Sequence, residues 1–202
     1  MNRLLWIAVA LAALSRPSVA VSQETPDAPA PQRTGTEMLV LTPPKDWRLA
    51  FRERRDDMFV VQYAPPEARG EDWRDMVQAQ VFLGVTGLAP EAYLDQLVEF
   101  YARACDPIGA GATDVGDVAG YPFASKVLLC GRNRETGRGS VMLFKVIAGR
   151  EALYAVTRAW RGAAFDLDRA PISRGELADW AYYLAGARLC DLASAETPCR
   201  AP

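Results

Sequence analysis

The residue pattern predicts an α+β domain: a mainly antiparallel sheet with a central helix and a C-terminal helix packed on it, stapled by disulfides. Three observations predict this. Short stretches of alternating apolar residues follow one another with only turn residues between them, which is the order of an antiparallel sheet rather than a doubly wound one. Two longer stretches repeat their apolar residues every three to four positions, as amphipathic helices do. Four cysteines, Cys105, Cys130, Cys190 and Cys199, form an even set in a chain that opens with an export-like leader, the setting in which cysteines pair.

Met1 to Ala20 reads as a cleaved signal. Arg3 supplies the positive start, Leu4 to Leu14 the apolar run, Pro17 a break, and Ser18-Val19-Ala20 the small residues a signal peptidase reads, which together fit the secretory pattern. The apolar run falls short of the roughly 20 residues a spanning helix needs, and no cysteine near Ala20 offers a lipid anchor. The expectation is a periplasmic or secreted mature chain with no membrane span. Losing Arg3 and Arg16 with the leader leaves 182 residues carrying 21 basic and 25 acidic side chains, a charge of −4. That length suits one domain with a real core. Mild acidity with interspersed signs gives neither the footprint of a nucleic-acid binder nor a polybasic membrane segment.

Residues 21–36 hold Pro26, Pro29 and Pro31 among small and polar residues and read as a disordered Pro-rich tether. A single domain is expected over 37–202, with a disulfide-tied C-terminal tail. Met38–Leu41 reads as a first strand, Asp46–Phe51 as a second and Met58–Tyr63 as a third. The charged run Arg52 to Asp57 between the last two reads as a solvated hairpin turn, with a docking tip as the functional alternative. Ala64 to Gly70 is a Pro-Pro loop. Val77, Ala79, Val81 and Leu83 then alternate with Gln78, Gln80 and Phe82, as in a half-buried strand.

Pro90 suits a first helical position, and Leu94, Leu97, Val98, Tyr101 and Cys105 share one face of the helix that follows. Asp106 to Gly120 reads as a glycine-rich loop. Tyr121–Cys130, Val141–Ile147 and Leu153–Trp160 form a predicted meander. Ser173-Arg174-Gly175-Glu176 is a capping box, flanked by Ile172 and Leu177 as a hydrophobic staple, and opens a helix expected to run through Leu189. Four cysteines allow three pairings, and sequence alone does not choose among them. The preferred one is Cys105–Cys130, tying a helix end to a strand end, with Cys190–Cys199 holding the tail.

The chain has no histidine, which removes Ser-His-Asp and Cys-His nucleophile systems and the commonest transition-metal ligand. The cysteines lack C-x-x-C spacing, which argues against zinc and against a redox pair. Ser140 sits in Gly139-Ser140-Val141-Met142 and fails G-x-S-x-G. Gly109-Ala110-Gly111 follows no apolar strand and lacks the third glycine of a nucleotide loop. The acid pairs Asp72 with Asp75, Asp114 with Asp117 and Asp166 with Asp168 read as solvated loop acids rather than calcium or glycosidase sites. No metal and no cofactor is implied.

The polar residues inside predicted strands are the candidate ligand-binding set: Gln78, Gln80, Lys126 and Arg158, with Trp160 and Arg161 beside them. Charged groups are rarely fully buried unless paired. On a sheet face left open by the helices these residues could converge on a small acidic or polar ligand, with Arg161 making a bidentate contact. The plain alternative is a solvent-facing strand surface. Trp47, Trp73, Tyr101, Phe123 and Phe144 are expected in the core.

The proline-flanked strand Pro43-Pro44-Lys45-Asp46-Trp47, the hairpin, the central helix, the meander and the C-terminal helix together resemble the PsbP/Mog1-like α/β/α sandwich in element order. The phrases Gly120-Tyr121-Pro122, Arg158-Ala159-Trp160-Arg161-Gly162 and Leu189-Cys190-Asp191 resemble a group of uncharacterised exported proteins of Gram-negative bacteria. The resemblance implies a periplasmic, stapled sandwich and carries over no catalytic residue. The functional expectation is a non-enzymatic periplasmic binding or assembly module that takes an envelope protein partner or a small polar ligand. The alternative is a carboxylate-based hydrolase or acid/base enzyme drawing on Lys126 or Arg158.

Overall fold

A computed structural model describes residues 33–69, 72–195 and 197–199. The expected leader and residues 21–32 of the tether lie outside the described residues. Ordered pairing starts at Arg33, inside the stretch read as tether: β1 (Arg33–Thr34) pairs antiparallel with β2 (Glu37–Val40).

The fold is α+β and mostly antiparallel sheet. An eight-stranded sheet contains β3 (Arg48–Arg55), β4 (Met58–Ala64), β5 (Asp75–Leu83), β6 (Ile108–Ala110), β7 (Asp114–Val118), β8 (Tyr121–Cys130), β9 (Gly139–Ala148) and β10 (Ala152–Gly162). Its order is β3-β4-β5-β10-β9-β8-β6, with β7 also on β8. A second sheet runs β1-β2-β11, where β11 is Arg188–Asp191. One helix lies on each face of the large sheet. Helix α1 (Pro90–Ala104) packs over β6, β8 and β9, and α2 (Arg174–Ala185) over β9 and β10.

Strand alternation divides the core between these two layers. Leu94 of α1 is fully buried with Ala124, Leu128, Met142, Phe144 and Val146. Trp180 and Leu184 of α2 pack with Val77, Val81, Leu143, Ile147 and Val156 on the opposite face. Ser173 accepts from the Glu176 amide and Glu176 accepts from the Ser173 amide, so the predicted capping box forms. Ile172 and Leu177 both join the α2-face core.

Three boundaries differ from expectation. The charged run is not a turn: β3 extends through Arg55, paired with Met58, and only Asp56-Asp57 turn, with Asp56 at φ 40°. Arginine stems cover an edge strand while their heads stay in water, so charge there does not stop a ladder. The glycine-rich loop holds β6 and β7, both paired to β8. Gly116 lets β7 approach closely, because a Cβ there would lie 2.8 Å from the Phe123 ring and force it to shift. Helix α2 ends at Ala185, and Gly186 follows as its C-cap. The stretch expected to continue it forms β11, paired register by register with β2.

Two devices missing from the sequence reading fix these ends. Lys145 of β9 is buried, and its Nζ donates to the carbonyls of Leu184, Ala185 and Ala187 at 3.1, 3.3 and 2.8 Å. These are carbonyls at and beyond the end of α2, where the last helical turn has no intrahelical donor. Glu37 of β2 is 1% exposed and accepts from the amides of Arg150 and Glu151 at 2.8 and 3.1 Å. Glu151 returns the contact by accepting from Thr36 N–H at 3.1 Å. This reciprocal clamp ties the small sheet to the β9–β10 turn.

Both disulfides follow the preferred pairing. Cys105–Cys130 joins the end of α1 to the end of β8, and Cys190–Cys199 holds the tail to β11 rather than to a helix. Bonds of this kind suit an oxidising compartment. Among the described residues no helix is long and apolar enough to cross a membrane.

Candidate functional site

The sheet divides the candidate residues between its faces. On β10, successive side chains alternate, so Arg158 and Trp160 point to the α2 face while Arg161 points to the α1 face. Gln78, Gln80 and Lys126 also lie on the α1 face. Six residues expected to converge therefore belong to separate places.

Lys126 sits under α1 and pairs with Asp95 at 3.4 Å. It does not join the glutamines, because β9 lies between its strand and β10. Arg158 is a packing element. Its guanidinium lies 4.5 Å from the Trp47 ring centroid and 4.8 Å from that of Trp180. It pairs with Asp75 at 3.0 Å and donates to the carbonyls of Met76 and Ala159 at 3.3 Å. A cleft of about 520 Å³ beside it gathers Glu67, Asp72, Asp75, Glu176 and Arg74. Acid catalysis there would need a carboxyl that keeps its proton near neutrality. Glu176 is instead held below the usual carboxylate range by its hydrogen bonds to Ser173. Asp75 is engaged by Arg158 and Asp72 by Arg138 at 3.0 Å.

The α1 face offers a different environment. Helix α1 packs over β6, β8 and β9 and reaches the end of β5, where Tyr93 meets Phe82 at 5.5 Å. On this face Leu153, Ala155, Thr157 and Ala159 of β10 are buried, while Gln62 of β4 and Gln78 and Gln80 of β5 are half-buried beside a groove of about 490 Å³. Tyr93, Leu97, Phe100 and Tyr101 of α1 form one wall, and Phe82, Phe144 and Trp73 continue the aromatic surface. Its floor is polar. Gln62 and Gln78 face one another across β4 and β5, and Gln62 Nε2 donates to Gln78 Oε1 at 2.6 Å. Gln80, Thr157 and Ser140 extend the polar lining. At the far end Arg161 lies flat on Trp73, 4.1 Å from the ring centroid.

Burial raises the phenols of the wall. Tyr93 is pushed up to about 12 by burial, with a smaller contribution from Tyr101, and Tyr101 is itself raised by burial. Both stay protonated at neutral pH and present hydroxyls. The described lining thus holds amides, hydroxyls, π-faces and one guanidinium. The amide pair adds specificity: one carbonyl and one N–H of the pair satisfy each other, and the remaining acceptor and donors match an amide group.

Sequence reasoning identified Gln78, Gln80 and Arg161 as polar residues in strands. It missed Gln62, because Met58–Tyr63 reads as plain strand until its register against β5 is known. The core assignment holds for Phe144, which is 5% exposed, and Trp73 and Tyr101 pack partly buried against the same cluster while also lining the groove. No family model matches the chain, and no curated protein matches it.

Proposed function

We propose that this protein is a non-enzymatic binding module of the periplasm or extracellular space, working after removal of residues 1–20. Its ligand is a small carboxylate that also carries an amide and an apolar body. The observation that supports this reading is the groove on the α1 face, where the half-buried pair Gln62 and Gln78 meets an aromatic wall. Pockets of this size, apolar with a few placed polar groups, are where small ligands bind. Arg161 supplies the charge that favours a carboxylate. It lies four residues along β10 from Thr157, which pairs with Gln78, or about 13 Å at strand rise. A ligand of about 13 Å, the length of about four extended peptide units counting an acetyl cap, bridges the amide pair and the guanidinium. The end of a peptide and an N-acetylated acidic sugar share this chemistry.

The test is calorimetric titration with an acetylated Ala-Ala-Phe tripeptide as free acid, the same tripeptide as C-terminal amide, and an N-acetylated disaccharide bearing a carboxylate. The reading expects one of the two acids to bind. It expects roughly tenfold or greater weakening on amidation of the tripeptide, if that is the binder, and in Gln62→Ala/Gln78→Ala or Arg161→Ala. Which acid binds separates the peptide source from the sugar source. Failure of both, or binding indifferent to all three replacements, would overturn the proposal.

A further inference from the structure

Strand β3 forms one edge of the large sheet, and among the described residues no strand lies on its outer side. All of its residues but Glu53 are exposed along eight positions. The opposite edge is managed differently, by the three-residue β6 and the separate β7. A long open edge exposes a row of backbone donors and acceptors, and natural sheets usually shorten, cover or charge such edges. Here the edge carries charge, with a register shift between Leu49 and Phe51. It also carries two large apolar side chains in the open, Leu49 at 41% and Phe51 at 43% exposure. Protective charge alone does not account for them.

We infer that the β3 edge is a strand-addition site for an extended acidic segment of a partner protein. Phe51 to Arg55 keep an unbroken register with β4, so their outer backbone groups run as a regular ladder template. Four arginines, Arg48, Arg52, Arg54 and Arg55, stand against the single Glu53, a net charge of +3 within a chain of net charge −2. Arg52 and Arg54 share the face of their partners Val61 and Phe59, where Arg54 lies 4.6 Å from the Phe59 ring. Arg55 is on the other face, beside Met58. Arg55 is paired with Glu53 on its own face at 2.6 Å, so the acids of an added strand meet arginine on the Arg52 and Arg54 face, where cross-strand opposite charges favour pairing. A second copy of this chain is a poor occupant, because it would bring +3 against +3. The site is separate from the groove and does not depend on how the groove is used.

The probe is a fluorescein-labelled octapeptide of alternating glutamate and threonine, followed by anisotropy with the full mature protein. The inference expects saturable binding that weakens about tenfold between low and high salt, as screening removes the charge attraction. It expects at least about tenfold loss when alternate peptide amides are N-methylated, since strand addition uses main-chain hydrogen bonds. Arg52→Glu/Arg54→Glu should lose binding by a similar factor while melting as wild type does, both residues being exposed. Equal binding of the N-methylated peptide would reduce the edge to a charged strip and overturn the inference. So would absence of peptide binding, or equal affinity for an oligothymidylate of eight nucleotides.

Discussion

Replacing Arg158 with alanine should destabilise the protein, and the structure sets the size of the effect. The Arg158 and Asp75 side chains are 14% and 30% exposed and 3.0 Å apart. Removing one partner of a buried ion pair costs about 3–5 kcal/mol, because the other charge is left unmatched. Asp75 keeps some access to water, which favours the lower end. The two flanking tryptophans each lose a cation–π contact worth about 0.5–1 kcal/mol. The sum is about 4–5 kcal/mol, or roughly 10–15 °C in melting temperature for a domain of this size. Urea unfolding followed by tryptophan fluorescence measures it, with the slope expected to stay constant. Adding Asp75→Asn to the alanine variant should recover part of the loss, since contacting residues couple. Arg158→Lys should recover little, because an ammonium does not stack flat between two rings and donate a fork. A loss below about 1 kcal/mol, with binding to a carboxylate ligand abolished instead, would refute the reasoning and return Arg158 to the ligand-binding set.

Two further predictions follow from the same coordinates. The loop-entropy relation applied to sequence separations of 25 and 9 gives about 3.5 kcal/mol for Cys105–Cys130 and about 2.6 kcal/mol for Cys190–Cys199. Paired Cys→Ser variants should lose stability in that order, and equal melting of oxidised and reduced wild type would contradict it. Tyr93 should titrate at about 12, above the ordinary value of 10. Between those values the native state holds a proton the unfolded chain has released, so stability falls as pH rises through that window and is unaffected below it. Ultraviolet titration beside urea midpoints checks both, and normal titration of all seven tyrosines would contradict the buried wall.

The meander and both helix starts were legible because their signals are local, whereas the cysteine pairing was a preference among three that the structure bears out. Alternation in Tyr121–Cys130, the capping box at Ser173 and Pro90 at a first helical turn each need only neighbours in sequence. What failed depended on distant partners. Arg52 to Arg55 extend a strand because β4 pairs with them, and Asp114–Val118 is a strand because β8 lies beside it. Gly186 was a local stop signal for α2 that could have been used. Lys145, which holds that end, gives no sequence sign, since an isolated lysine in an apolar strand has no visible target. The candidate site was half legible for the same reason. Polar residues in strands are easily found, but the face each occupies depends on register. Alternation along one strand already separates Arg158 from Arg161, and what the sequence did not show is which helix lies over each side.

The central claim is that the groove beneath α1 holds a small ligand. Native mass spectrometry of the protein, gently purified from its own compartment, tests it most directly. The account predicts an added mass of a few hundred daltons, the size such a pocket encloses, retained by wild type and absent from Gln62→Ala/Gln78→Ala. A bare wild-type mass, or an added mass that the double variant keeps, would contradict it.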